Sequence, residues 1–244
     1  MSDSPSSATL NALRQEIRRL EGFKGMTTTG TPLRFGIPDI DNALPEKSFP
    51  LGVTHEFISD SMEEAAATTG FLSGLLALLT KGTGTVAWIC RQRSIYAPGL
   101  AAFGIDPKRI LFVETRSECD ALWAMEEALR CKGLVAAVGE AGDAPLTATR
   151  RLQLAAEESG ATGMLLRMRP RRSGTSACVT RWHIRPRPGL RDKGMPGVGT
   201  PRWHAELVKA RGSRPTAWDI EWKNGRFRLP EQSAPAAEKQ FLCA

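Results

Sequence analysis

The residues with the clearest chemical potential lie in one stretch, Glu56 to Phe71, which reads EFISDSMEEAAATTGF. A strand-like HEFI leads into the polar SDSMEEAAATTG, and the helix-like GFLSGLLALL follows. Strand, loop and helix in that order form the frame in which many proteins hold a triphosphate. The working motif there is G-x-x-x-x-G-K-[ST]: its glycines let backbone N–H groups wrap the phosphates, and its lysine neutralises them. Here no glycine precedes Gly70 and the loop has no lysine. The loop opens at Ser59. Glu63 and Glu64 would meet a triphosphate with like charge. Thr68 and Thr69 have hydroxyls that could approach magnesium or cap the helix.

These residues depend on the elements around them. TVAWIC, RILFVET, LVAAVGE and TGMLLRMR read as strands. SIYAPGLAAFG reads as a short helix broken by proline, and ECDALWAMEEALRC and APLTATRRLQLAAEESG read as longer helices. Strands separated by helices indicate parallel βαβ units. LVAAV and GMLLRM are apolar on both faces, as a sheet covered on both sides requires. After Arg169 the pattern becomes extended. VTRWHIRPRP, PRWHAELVKARG and TAWDIEW–KNG–RFRLP predict an antiparallel ribbon, with Asn224–Gly225 as its hairpin turn. The Gly/Pro-rich GLRDKGMPGVGTP reads as a mobile loop.

At the front, residues 1–9 are Ser-rich and read as disordered. Leu10, Leu13, Ile17 and Leu20 then fall on one helical face, suited either to the chain's own core or to a partner. The sequence thus divides into a tip and amphipathic helix over 1–25, a core over 26–230 and a flexible tail over 231–244.

The chain has 244 residues and a net charge of +7. Residues 1–150 carry 15 Lys/Arg against 18 Asp/Glu, whereas residues 151–231 carry 17 against 7. The basic back half suits a polyanion or an acidic protein surface, or is a solvated face without a partner. Five cysteines are widely spaced and the three histidines do not cluster with them, so no metal is expected. No apolar run is long enough to cross a bilayer and the first residues do not resemble a secretory signal, so a reduced, cytoplasmic chain is expected.

From about Leu33 to Pro230 the order of elements resembles the ATPase core of RecA, the recombinase. FGIPDIDNALP followed by LGVTHEFI is similar to the entry into the strand before the phosphate loop. TVAWICRQRSIYAPGLAAFGIDPKRILFVE is similar to the next strand, helix and strand. KARGSRPTAWDIEWKNGRFR resembles the closing segment and hairpin. The resemblance implies an α/β fold, a mainly parallel sheet flanked by helices with a C-terminal antiparallel hairpin.

It also implies what is missing. The catalytic glutamate of that family belongs just after TVAWIC, where Gln92 stands; glutamine cannot take a proton from water at neutral pH. The metal-holding aspartate belongs at the end of LVAAVGE, where Val138 and Gly139 stand, with Glu140 following. With the phosphate loop, three functions of the site are absent. No ATP, metal or other cofactor is therefore expected, and no catalysis. The segment PRRSGTSA is short where RecA has a long DNA-entering loop, so contact with DNA is expected to be indirect or weak.

Two families of inactive RecA-like proteins fit. One is SulA, the inhibitor of cell division. The nearly full-length core, the leading amphipathic helix and the R-G-x-R-P turn before the tryptophan strand resemble the other, ImuA. That resemblance implies an accessory role in damage-induced translesion synthesis. Its implied partners are an ImuB-type polymerase-like protein, with RecA and the error-prone replicative-type polymerase as further candidates. Candidate partner or nucleic-acid contacts are Leu13, Ile17 and Leu20 on the helix, and Arg169, Arg171, Arg172, Arg185, Arg187, Lys209, Arg211 and Arg214. Arg167 and Arg181 add to the same local positive charge. The tail QFLCA also resembles, faintly, peptides that bind the replication clamp.

Overall fold

A computed structural model describes residues 32–81, 83–93, 95–171, 174–190, 199–210 and 214–230. The expected helix over residues 10–20, Arg172, Arg211, most of the Gly/Pro-rich loop and the tail lie outside them.

The alternating elements build one sheet. Its strands are β1 (Thr54–Ser59), β2 (Val86–Cys90), β3 (Ile110–Glu114), β4 (Ala136–Ala141), β5 (Thr162–Met168), β6 (Thr180–Leu190), β7 (Thr200–Ala210), β8 (Thr216–Lys223) and β9 (Arg226–Arg228). Their order is β3-β2-β4-β5-β1-β6-β7-β8-β9. The first six are mutually parallel, and β7, β8 and β9 continue antiparallel. The predicted ribbon is therefore an extension of the same sheet. Its turn is where expected: Asn224 and Gly225 both have positive φ, 54° and 71°, as the mirror-image turn of a tight hairpin needs.

Among the described residues, four α-helices serve this sheet: α1 (Pro38–Ala43), α2 (Met62–Thr80), α3 (Glu118–Arg130) and α4 (Leu146–Ser159). The proline-broken segment is a 3-10 helix, Ala97–Phe103. The core has two layers. One is aromatic: Phe35, Phe57, Trp182, Trp203 and Phe227 pack around Phe71 of α2. The other is rich in alanine and has no aromatic side chain among its buried residues, with Ala121, Met125, Ala137, Ala156 and Leu165 joining α3 and α4 to the sheet. Close contact with the ribbon explains Gly74 in α2, because a Cβ there would lie 2.7 Å from Phe227 and 3.1 Å from Trp222.

His55 is one of several fully enclosed polar residues. His55 donates or accepts within 2.7 Å of Thr180 Oγ1 and 2.9 Å of the Pro50 carbonyl, and burial pushes its pKa down to about 3 despite the Pro50 contact. No described helix is long and apolar enough to cross a membrane.

Candidate functional site

The carboxyl edge of the parallel strands is where the phosphate frame was expected. The structure replaces its loop with a short connection. β1 ends at Ser59 and α2 begins at Met62, so EEAAATTG forms the first turns of the helix. Ser61 is the N-cap: its Oγ accepts from the Glu64 N–H at 3.2 Å, and Glu64 Oε2 accepts from the Asp60 N–H at 2.8 Å. This reciprocal arrangement is a capping box, with the glutamate reaching one residue further back than usual.

The carboxylate at the mouth of α2 is thus the chain's own. Glu64 Oε2 also lies 2.8 Å from His183 Nε2, and Arg185 Nε lies 3.7 Å from Oε1. Burial alone would raise Glu64, but the Asp60 amide, His183 and Arg185 outweigh it and hold its pKa below the ordinary value. Glu63 is exposed, and its pKa is lowered by the Ser61 hydroxyl, by its own backbone N–H and by Arg169. Thr68 and Thr69 sit in the second turn. Thr68 shares a 2.9 Å hydrogen bond with Ser59, and Thr69 donates back to the Ala65 carbonyl.

Asp60, Glu64 and His183 lie close enough together to suggest a metal site. The wider geometry opposes it. Arg185 Nη2 is 2.9 Å from His183 Nδ1, and a guanidinium only donates. Nδ1 is then the acceptor, and Nε2 carries the proton that it gives to Glu64. An imidazole in that tautomer has no lone pair to offer a metal on this side.

Beside this corner lies an open trough. One part, about 450 Å³, is lined by Met62, Arg91, Gln92, Arg93, Glu118 and Glu140 among others. The next part, about 400 Å³, runs between α2 and the 3-10 helix, past Ala66, Thr69, Tyr96 and Phe103. The two parts share Met62, Glu140 and Met168. Gln92 is exposed at the rim.

The strand register decides which residue of β4 enters the trough. A Cβ on Gly139 would lie 2.5 Å from Met125 Sδ, so that position faces α3. Glu140 is the residue that lines the trough. Its Oε1 accepts from Trp88 Nε1 at 2.8 Å. Burial raises its pKa, and the Trp88 bond only partly opposes this. Cys90 at the end of β2 is pushed up to about 11 by burial and by the negative charges of Glu140 and Glu114, so it is not a thiolate nucleophile.

The basic residues are less available than their number suggests. Arg167 and Arg181 both bind the fully buried Glu56, at 2.8 and 2.7 Å. Arg185 pairs with Glu206 at 3.0 Å and Arg187 with Asp219 at 3.2 Å. Lys209 donates to the Ser176 and Cys178 carbonyls. Arg169, Arg171 and Arg214 are exposed. The structure brings Ser59, Glu63, Glu64, Thr68 and Thr69 to one corner and Gln92 to the neighbouring trough, whereas the arginines are spread along the sheet.

A six-stranded parallel sheet continued by antiparallel strands, with a long helix leaving its inner strand, defines a RecA-like α/β core, here with a side-chain carboxylate where the helix mouth would otherwise be open. No family model matches the chain. Over 227 residues it is 40% identical to Protein ImuA of Caulobacter vibrioides (strain NA1000 / CB15N), across 85% of this chain and 93% of that relative. Protein ImuA from strain ATCC 19089 / CIP 103742 / CB 15 matches to the same extent. The chain belongs to the ImuA family.

Proposed function

We propose that this chain is a non-catalytic adaptor in damage-induced translesion DNA synthesis. It docks an ImuB-type polymerase-like protein near lesions and so raises that partner's local concentration there, with RecA and the error-prone replicative-type polymerase as further candidate partners. The observation that carries this reading is the Glu64 carboxylate at the mouth of α2, held by Asp60, Ser61 and His183. A γ-phosphate approaching that point would meet a partly buried negative charge with its hydrogen bonds already made. The missing glycines and lysine, and Gln92 in place of a base, support the same conclusion. Contact with DNA is indirect or weak in this reading, because Arg167, Arg181, Arg185 and Arg187 are engaged in ion pairs within the chain.

The test is a pull-down of the tagged full chain from DNA-damaged cells. Recovery of the polymerase-like partner or RecA is expected; recovery in their place of the cell-division tubulin homologue, the target implied by the alternative resemblance to a SulA-type inhibitor, would overturn the reading. In parallel, millimolar ATP and magnesium are expected to leave the melting temperature unchanged. A ligand that binds only the native state must raise it, so a clear rise would favour the second alternative, an atypical RecA-like ATPase.

A further inference from the structure

The trough beside the sealed corner has the features of a binding site in its own right. In its inner part α2 presents Ala65, Ala66, Thr69, Gly70 and Ser73, small side chains that leave room above the helix. Leu100, Phe103, Leu166 and Met168 supply apolar walls. At its entrance Met62 and Tyr96 are 53% and 76% exposed, which leaves two large, adaptable contact surfaces in water. Among the described residues lining this inner part, Glu140 is the only charged one.

Glu140 spends one oxygen on Trp88. No partner for the other is found among the described residues. A carboxylate in an apolar recess gains most from a cation that arrives with its own donors, because a charge-assisted hydrogen bond strengthens when water is excluded. The available cations do not supply it. Arg93 lies over the Phe112 ring at 5.4 Å, and Arg91 and Arg93 line only the outer part of the trough.

We propose that this trough docks an apolar segment of a partner protein that carries one lysine or arginine, with Glu140 as the acceptor for that basic group. The apolar side chains of the segment lie along α2 and the 3-10 helix, and the basic group reaches the free oxygen of Glu140. Charge complementarity selects the occupant: the inner trough offers one negative group on a surface that is mostly apolar, with the hydroxyls of Thr69, Ser73 and Tyr96 as its other polar groups. This deepens the adaptor reading and rests on it only for the partner's biological identity.

The experiment uses the full chain against a displayed library of random 12-residue peptides, with the strongest clones synthesised and titrated by fluorescence anisotropy. Enrichment of one lysine or arginine among leucine, isoleucine, methionine or phenylalanine is expected. Glu140→Gln keeps an acceptor for Trp88 but removes the charge, and should weaken binding about tenfold, as loss of one charge-assisted hydrogen bond does. Replacing the peptide's basic residue with norleucine should weaken binding to the wild-type chain to a similar extent and to the Glu140→Gln variant hardly at all. Ala66→Trp, at an exposed position of α2, should block the trough without touching the sheet. Leu154→Ala, on the exposed side of α4, should bind as the wild type does. Selected peptides without a basic residue, equal affinity for Glu140→Gln, or no enrichment would each overturn the proposal. The groove can fail while the pull-down recovers its partners, and the pull-down can fail while the groove selects peptides, so the two results separate this inference from the adaptor reading.

Discussion

Glu64 and Glu140 stand near the carboxyl edge of the same sheet, yet their surroundings push them in opposite directions. Glu64 receives the Asp60 amide and His183, with Arg185 nearby, and its pKa is lowered. Glu140 receives one indole N–H in an apolar recess, and its pKa is raised. The first carboxylate is built into the fold; the second keeps one oxygen without a partner among the described residues, beside an open space. The contrast teaches that a site can be filled at its phosphate corner and still keep a cavity next door. Glu56 marks the extreme of the first kind, with two arginines and no exposure.

The largest effect is expected at that extreme. Glu56→Ala leaves Arg167 buried without its main counter-charge, and should cost about 3–5 kcal/mol in denaturant unfolding. A loss below about 1 kcal/mol would mean that solvent reaches the pair and that the contrast is overstated.

A middle effect is expected at the sealed corner. Glu64→Ala removes the cap partner of Asp60 and the acceptor of His183. About 1–2 kcal/mol of stability should go, while the affinity for the selected peptides stays unchanged. A matching loss of peptide binding would merge corner and trough into one site.

The smallest effect is expected at Glu140. Its folded pKa lies above its unfolded value, so the folded state takes up the proton first. Its charged form therefore counts against folding at neutral pH, and this cost fades as pH falls towards the ordinary carboxyl range. Glu140→Gln should stabilise the chain by less than about 1 kcal/mol at pH 7 and lose that advantage in acid. Unfolding curves at pH 7 and pH 4.5 measure it; destabilisation at both would make Glu140 a structural carboxylate like Glu64.

Much of the fold was legible in the sequence. Alternating apolar strands and capped helices placed nearly every element, and Asn224–Gly225 fixed the closing turn. The start of α2 was misplaced because the polar residues after Ser59 suggested a loop. The signal for a helix was present: Ser61 and Glu64 form the S-x-x-E pattern, followed by alanines that favour a helix. Glu140 was harder to place. A shift of one position along β4 turns a side chain to the other face of the sheet, and only Met125 beneath Gly139 settles which residue faces the trough. The pairing of Glu56 was beyond sequence reach, since Arg167 and Arg181 lie 111 and 125 residues away along the chain.

The place of β1 has a further consequence, one of time. Thr54 pairs with Gly163 and His55 with Thr180, so neither edge of this inner strand can be closed until more than 100 further residues exist. At about 5–20 residues per second of synthesis, that interval is roughly 5–20 s. During it the nascent chain holds β1 and the apolar side of α2, including Phe71, Leu72 and Leu75, without the strands that later bury them. The strand at the centre of the finished sheet is therefore the one that waits longest for its neighbours during synthesis.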